Sequence, residues 1–190
     1  MVATLQLSQY LDLPNPVPGC NPGIHILRGP RILPAWTLHE LSPHLARGAR
    51  VAWIDAGNRF DAYGLAKAAL SLGVDPRRIL ERVQLARPFN AFQLVTMLAR
   101  KIQPLGLPVV LSDALGLFND DELPLEEARR AFQSFLECLP GTGLPLLCLL
   151  PEHRVPQGRD FFTAEFLTRG KDVLTLEPAA EGFRIARRDL

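Results

Sequence analysis

Residues able to do chemistry fall at a few places in the chain. Asp55 follows the apolar run Val51-Ala52-Trp53-Ile54. Ser112 and Asp113 follow Pro108-Val109-Val110-Leu111, and Glu152-His153-Arg154 follows Leu144 to Pro151. A carboxylate at the end of a buried run is what phosphoryl transfer needs to hold magnesium or to orient an attacking water. The phosphates themselves need G-x-x-x-x-G-K-[ST], whose backbone N–H groups and lysine cradle them. That motif is absent. Of the 21 Lys+Arg only Lys67, Lys101 and Lys171 are lysines; only Lys171 follows a glycine, its next residue is Asp172, and Glu165 stands five before Gly170. His39-Glu40-Leu-Ser-Pro-His44 approaches a zinc-protease pattern, but that pattern needs histidines at i and i+4 on one helical face. Here the spacing is i, i+5 with Pro43 between them, so the pair reads as ordinary exposed or cap-adjacent histidines.

The elements that position these residues alternate. The chain of 190 residues is 47% hydrophobic and 22% charged, the composition of one globular domain. Residues 1–22, with Pro14, Pro16, Pro18, Pro22 and Gly19, form an extended strap before a domain at 23–190. Strands are expected at 23–27, 51–55, 82–86, 107–112 and 144–150. Helices are expected at 36–47, where Pro43 is a kink or a stop, and at 60–72, 91–103 and 124–139. Asp75-Pro76 and Asn90 stand as helix starts, and Pro140-Gly141 as a stop. Continuous apolar strands alternating with helices indicate an α/β fold, a mostly parallel sheet covered on both faces. Residues 173–177 and 183–187 read as a C-terminal antiparallel hairpin. Cys20, Cys138 and Cys148, odd in number and without C-x-x-C spacing, read as free thiols. With no leader-like N-terminus and no apolar run long enough to span a bilayer, a cytoplasmic protein with no membrane partner is expected.

The order of these pieces resembles a known family. Val51-Ala-Trp-Ile-Asp55-Ala-Gly-Asn-Arg-Phe60, Leu72-Gly-Val-Asp-Pro76, Val83-Gln-Leu-Ala-Arg87-Pro-Phe-Asn90 and Pro108-Val-Val-Leu-Ser-Asp-Ala-Leu-Gly-Leu-Phe118 look like the ATPase core of RecA/RadA-type recombinases, over about residues 23 to 150. The resemblance implies a nucleotide site, and this chain departs from it at each part. Where the family has its P-loop, the chain reads Gly29-Pro30-Arg31-Ile-Leu-Pro-Ala-Trp36-Thr37, with bulky Ile32, Leu33 and Trp36 expected to fill the phosphate position. Gly57 stands where the family's water-polarising glutamate follows Asp55 by two residues. Ser112 aligns with the metal-associated aspartate, and Asp113 comes one residue later, where a persisting strand would point it to the other face.

The expectation is therefore a RecA-like domain with a degenerate nucleotide site at Gly29, Pro30, Arg31, Trp36, Thr37, Asp55, Gly57, Ser112 and Asp113. No enzymatic activity and no cofactor follow, ATP and magnesium included. The implied role is an accessory or scaffold protein in DNA recombination or repair, acting through another RecA-like subunit or self-association. Alternatives are a nucleotide-binding switch or ATPase completed in trans, and an accessory factor of error-prone DNA synthesis. Arg154, Arg159, Phe161, Phe162, Arg169 and Lys171 make a second candidate. Basic residues interleaved with aromatics suit single-stranded DNA or a partner, whereas Glu152, Asp160, Glu165 and Asp172 in the same segment suit a solvated loop with the phenylalanines packed inward.

Overall fold

The computed structural model describes Leu7, Tyr10, Leu11 and residues 23–139, 143–180 and 182–187. The remainder of the 1–22 strap, Cys20 and the Pro140-Gly141 stop lie outside the described residues. Leu7 and Leu11 are buried in the core, and the Tyr10 ring packs edge-on against His25 at 5.0 Å.

Seven strands alternate with helices: β1 (Ile24–Gly29), α1 (Leu33–Ala46), β2 (Val51–Asp55), α2 (Ala62–Ser71), α3 (Pro76–Leu80), β3 (Val83–Ala86), α4 (Ala91–Met97), β4 (Val109–Ser112), α5 (Ala114–Phe118), α6 (Leu125–Cys138), β5 (Leu146–Pro151), α7 (Asp160–Leu167), β6 (Asp172–Pro178) and β7 (Phe183–Arg187). They form one sheet in the order β3-β2-β4-β5-β1-β6-β7. All pairings are parallel except the β6–β7 hairpin. Every residue of β2, β4 and β5 is buried, because both faces carry helices and a continuous apolar run can then bury all its side chains.

Alternate strand residues divide the core in two. Ile26, Ile54, Leu111 and Cys148 pack with α4, α5, α6 and α7, while Leu27, Trp53, Val110 and Leu149 pack with α1, α2 and α3. The chain thus leaves β1 through α1 on one face and leaves β5 through α7 on the other. It leaves β2 and β4 by opposite faces in the same way. Two crevices result at the carboxyl ends of the strands, one between β2 and β4 and one between β5 and β1, the positions where open α/β sheets bind ligands.

Side-chain caps account for three of the helix starts. Asp61, Asp75 and Asn90 each accept a backbone N–H with their side chains, from Gly64, Arg77 and Gln93. Three elements differ from expectation. Helix α1 begins three residues before Trp36 and runs through Pro43 without stopping. The proline cannot donate to His39 O, and the Ser42 hydroxyl donates to that carbonyl instead at 2.7 Å. The helix expected at 91–103 is α-helical only to Met97, then π-helical over Leu98–Ile102 with a closing turn at Gln103–Leu105. The segment after β5 holds α7. Among the described residues no helix is long and apolar enough to cross a membrane.

Candidate functional site

The turn after β1 is short. Only Pro30, Arg31 and Ile32 separate Gly29 from α1, and Leu33 N–H already donates to Pro30 O at 2.8 Å. Pro30 and Pro34 have no N–H to offer. Gly29 is required by packing, since a Cβ there would lie 2.8 Å from the Leu176 Cβ. The expected plug of bulky side chains is corrected in part. Leu33 is fully buried in the core, Trp36 packs on the same cluster, and Ile32 turns outward, 51% exposed. Arg31 is exposed and Thr37 is buried with its hydroxyl unpartnered. No hydrogen bond or ion pair joins Arg31, Trp36 or Thr37 to Asp55 or Asp113.

Asp55 and Asp113 do come together at the β2/β4 crevice. The Asp55 side chain is completely buried. It accepts the Arg59 N–H at 2.8 Å, the Phe60 N–H at 3.0 Å and the Arg87 Nε at 3.0 Å. The β2–β3 register explains the last bond: Ile54 faces Ala86, so Asp55 and Arg87 are the next pair across the two strands. Ser112 sits opposite Asp55 on β4, buried, its hydroxyl unpartnered.

Strand β4 ends at Ser112, so the alternation that would send Asp113 to the other face does not apply. Asp113 adopts φ 58°, ψ 38°, the left-handed region, which Asp tolerates better than most residues. Its carboxylate lies 3.8 Å from Arg59 Nε and 3.6 Å from His153 Nδ1. Burial raises the Asp113 pKa above the usual carboxylate value, opposed by His153 and Arg59 and assisted by the Asp55 charge. Gly57 packs directly on this group: a Cβ there would meet Asp113 Oδ2 at 2.6 Å. The position of the expected water-polarising residue is thus sterically closed by the neighbouring carboxylate. His153 is held at both nitrogens, Nδ1 against Pro151 O at 2.9 Å and Nε2 against Asn119 Nδ2 at 3.2 Å, a pattern that fits the Nδ1–H tautomer. Among the described residues no group of three His, Cys, Asp or Glu is placed to hold a metal ion.

No protein-family model and no curated protein matches this chain.

The second candidate dissolves as a single surface. Arg159 is buried and donates to Phe118 O and Leu123 O, each at 2.5 Å, tying the start of α7 to the end of α5. Phe162 is fully buried, Phe161 packs beside it with ring centres 4.2 Å apart, and Arg129 lies over the Phe161 ring. Arg154, Arg169 and Lys171 are exposed. The expected loop is partly helix, and its phenylalanines pack toward the core, Phe162 fully and Phe161 in part, as the solvated-loop alternative expected.

A cavity of about 370 Å³ opens at the other crevice, between β5 and β1. It is lined by Arg28, Gly29, Leu115, Leu150, Glu152 and His153, with Thr163 of α7 and Thr175 of β6. Sequence reading noted Arg87 and His153 as strand-terminal but missed Asn119 and Arg28. Arg28 carried a legible signal: a charge in the inward phase of a strand whose other inward residues are apolar.

Proposed function

We propose that this chain is a non-hydrolysing RecA-like protein, an accessory or scaffold factor in DNA recombination or repair that acts through protein partners. The observation that carries this reading is the β1–α1 turn. Three residues with a proline at their head leave no run of N–H groups to cradle phosphates, while the parallel sheet around them is kept. Two further features support it. Gly57 abuts Asp113, which leaves no room for a general base, and both Asp55 oxygens are already engaged, by Arg87 and two backbone N–H groups.

Partner binding is supported by the open edge of the sheet. Among the described residues strand β3 has no neighbour on its outer side. Leu85, Phe89 and Phe92 stand there 39%, 85% and 48% exposed, a concentration of apolar side chains that marks interaction surfaces. The reading commits to a RecA-like partner, a second copy included. Phosphate release from ATP and magnesium, with and without single-stranded DNA, tests the first part: no turnover above blank is expected, and turnover favours an ATPase instead. Sedimentation velocity tests the second. Wild type is expected to associate with rising concentration and a Leu85→Asp, Phe89→Asp variant to remain monomeric; identical profiles would count against this edge.

A further inference from the structure

We propose that the cavity enclosed by the carboxyl ends of β5, β1 and β6 and by α7 binds a small oxyanion, a carboxylate or phosphate group, with Arg28 as its charged anchor. Strand β1 lies between β5 and β6, and its residues Ile24 and Ile26 face the helices of the α7 side. Arg28 is next in that phase, so its side chain points into helix-covered space. Register places it beside Leu150 on β5 and Thr175 on β6, and all three line the cavity.

Arg28 is partly buried, and among the described residues its guanidinium has no hydrogen bond or ion pair. Four other arginines are engaged: Arg59 with Asp113, Arg87 with Asp55, Arg159 with two carbonyls and Arg187 with Asp172. A guanidinium drawn into a partly apolar recess without a counter-charge is unfavourable, and an oxyanion supplies both the charge and acceptors for its forked donors. Among the described residues the Thr163 and Thr175 hydroxyls likewise have no hydrogen bond, and they complete a set of donors around the opening. His153 is already bonded at both nitrogens, so it serves as wall. Leu115, Leu150 and Val155 lower the local dielectric and strengthen the ionic contact. Glu152 is exposed and disfavours highly charged anions, so the site selects a ligand of one or two negative charges. The volume falls in the lower part of the range for small-molecule sites, roughly 300–1,000 Å³, and the crevice is a reversal point of the strand order.

The test uses the full chain and two probes, inorganic phosphate and succinate, each titrated to roughly 50 mM at constant ionic strength held with sodium chloride. The readout is calorimetry together with the Arg28 Nε–Hε resonance, assigned as the signal lost in Arg28→Gln. Saturable binding of at least one probe is expected, with a matching shift of that resonance. Affinity should fall roughly 10- to 100-fold in Arg28→Gln and by less in Thr175→Val. Preference between the probes decides whether the natural group is phosphate or carboxylate. The proposal is overturned if neither probe moves the Arg28 resonance, or if Arg28→Gln binds as tightly as wild type. Should Arg28→Gln not fold, Arg28→Lys identifies the resonance instead, and the wild-type titration remains decisive.

Discussion

Replacing Gly57 by alanine sets a methyl group 2.6 Å from Asp113 Oδ2, 2.8 Å from its Cβ and 3.1 Å from its Cγ. Asp113 has little freedom to yield, because its backbone is in the left-handed region and its N–H is bonded to Leu149 O at 3.0 Å. Overpacking of this kind costs about 1–3 kcal/mol, which for a chain of this size lowers Tm by roughly 2–4 °C per kcal/mol. Asp113→Gly removes all three clashing atoms, and glycine adopts the left-handed region freely. Its own cost is small, since the Asp113 carboxylate makes only long contacts, at 3.8 and 3.6 Å. The double variant should therefore recover most of the loss, a coupling of about 1–3 kcal/mol. Urea unfolding of wild type, both single variants and the double variant measures it. Additivity within about 0.5 kcal/mol would show that Gly57 and Asp113 do not compete for one space, and the steric reason for the missing base would fail.

The same carboxylate gives a pH prediction. Its pKa is raised in the fold by burial, so the stability it contributes is complete below the usual carboxylate value and is lost as pH rises through the raised one. Asp113→Asn should gain stability relative to wild type as pH rises above the usual carboxylate value, read from urea midpoints; a constant difference would contradict the assignment. Arg159→Met leaves two carbonyls without their donor and should cost about 2–4 kcal/mol in the same assay, and a change below about 0.5 kcal/mol would return Arg159 to the surface. Burial pushes the Cys148 thiol far above its ordinary value, and the thiolate is the reactive form. Peptide mapping after iodoacetamide should therefore find Cys148 modified only once the protein is unfolded; labelling of the native chain at the rate of an exposed thiol would refute its burial.

The sheet was legible because its strands declare themselves. Runs such as Val51–Asp55 and Leu146–Pro151 are apolar throughout, and that pattern belongs to strands covered on both faces. Asp55 and Asp113 could be picked out as strand-end carboxylates for the same reason. Their partners were harder to see, because Arg59, Arg87 and His153 reach them through strand order, and β2 lies between β3 and β4, which are distant in sequence. Helix α7 was missed because its hydrophobic residues, Phe161, Phe162 and Phe166, are flanked by charges that match a solvated loop equally well. Helix α1 continues past Pro43 with a side-chain bond, Ser42 to His39 O, which helix propensity does not encode.

The central claim, that the position of a phosphate cradle is closed, is tested most directly by equilibrium titration with a fluorescent ATP analogue in the presence of magnesium. Three residues between β1 and α1, with Pro30 leading them, predict no saturable binding below about millimolar concentration. Saturable binding at about micromolar concentration would contradict it and place a working nucleotide site in this fold.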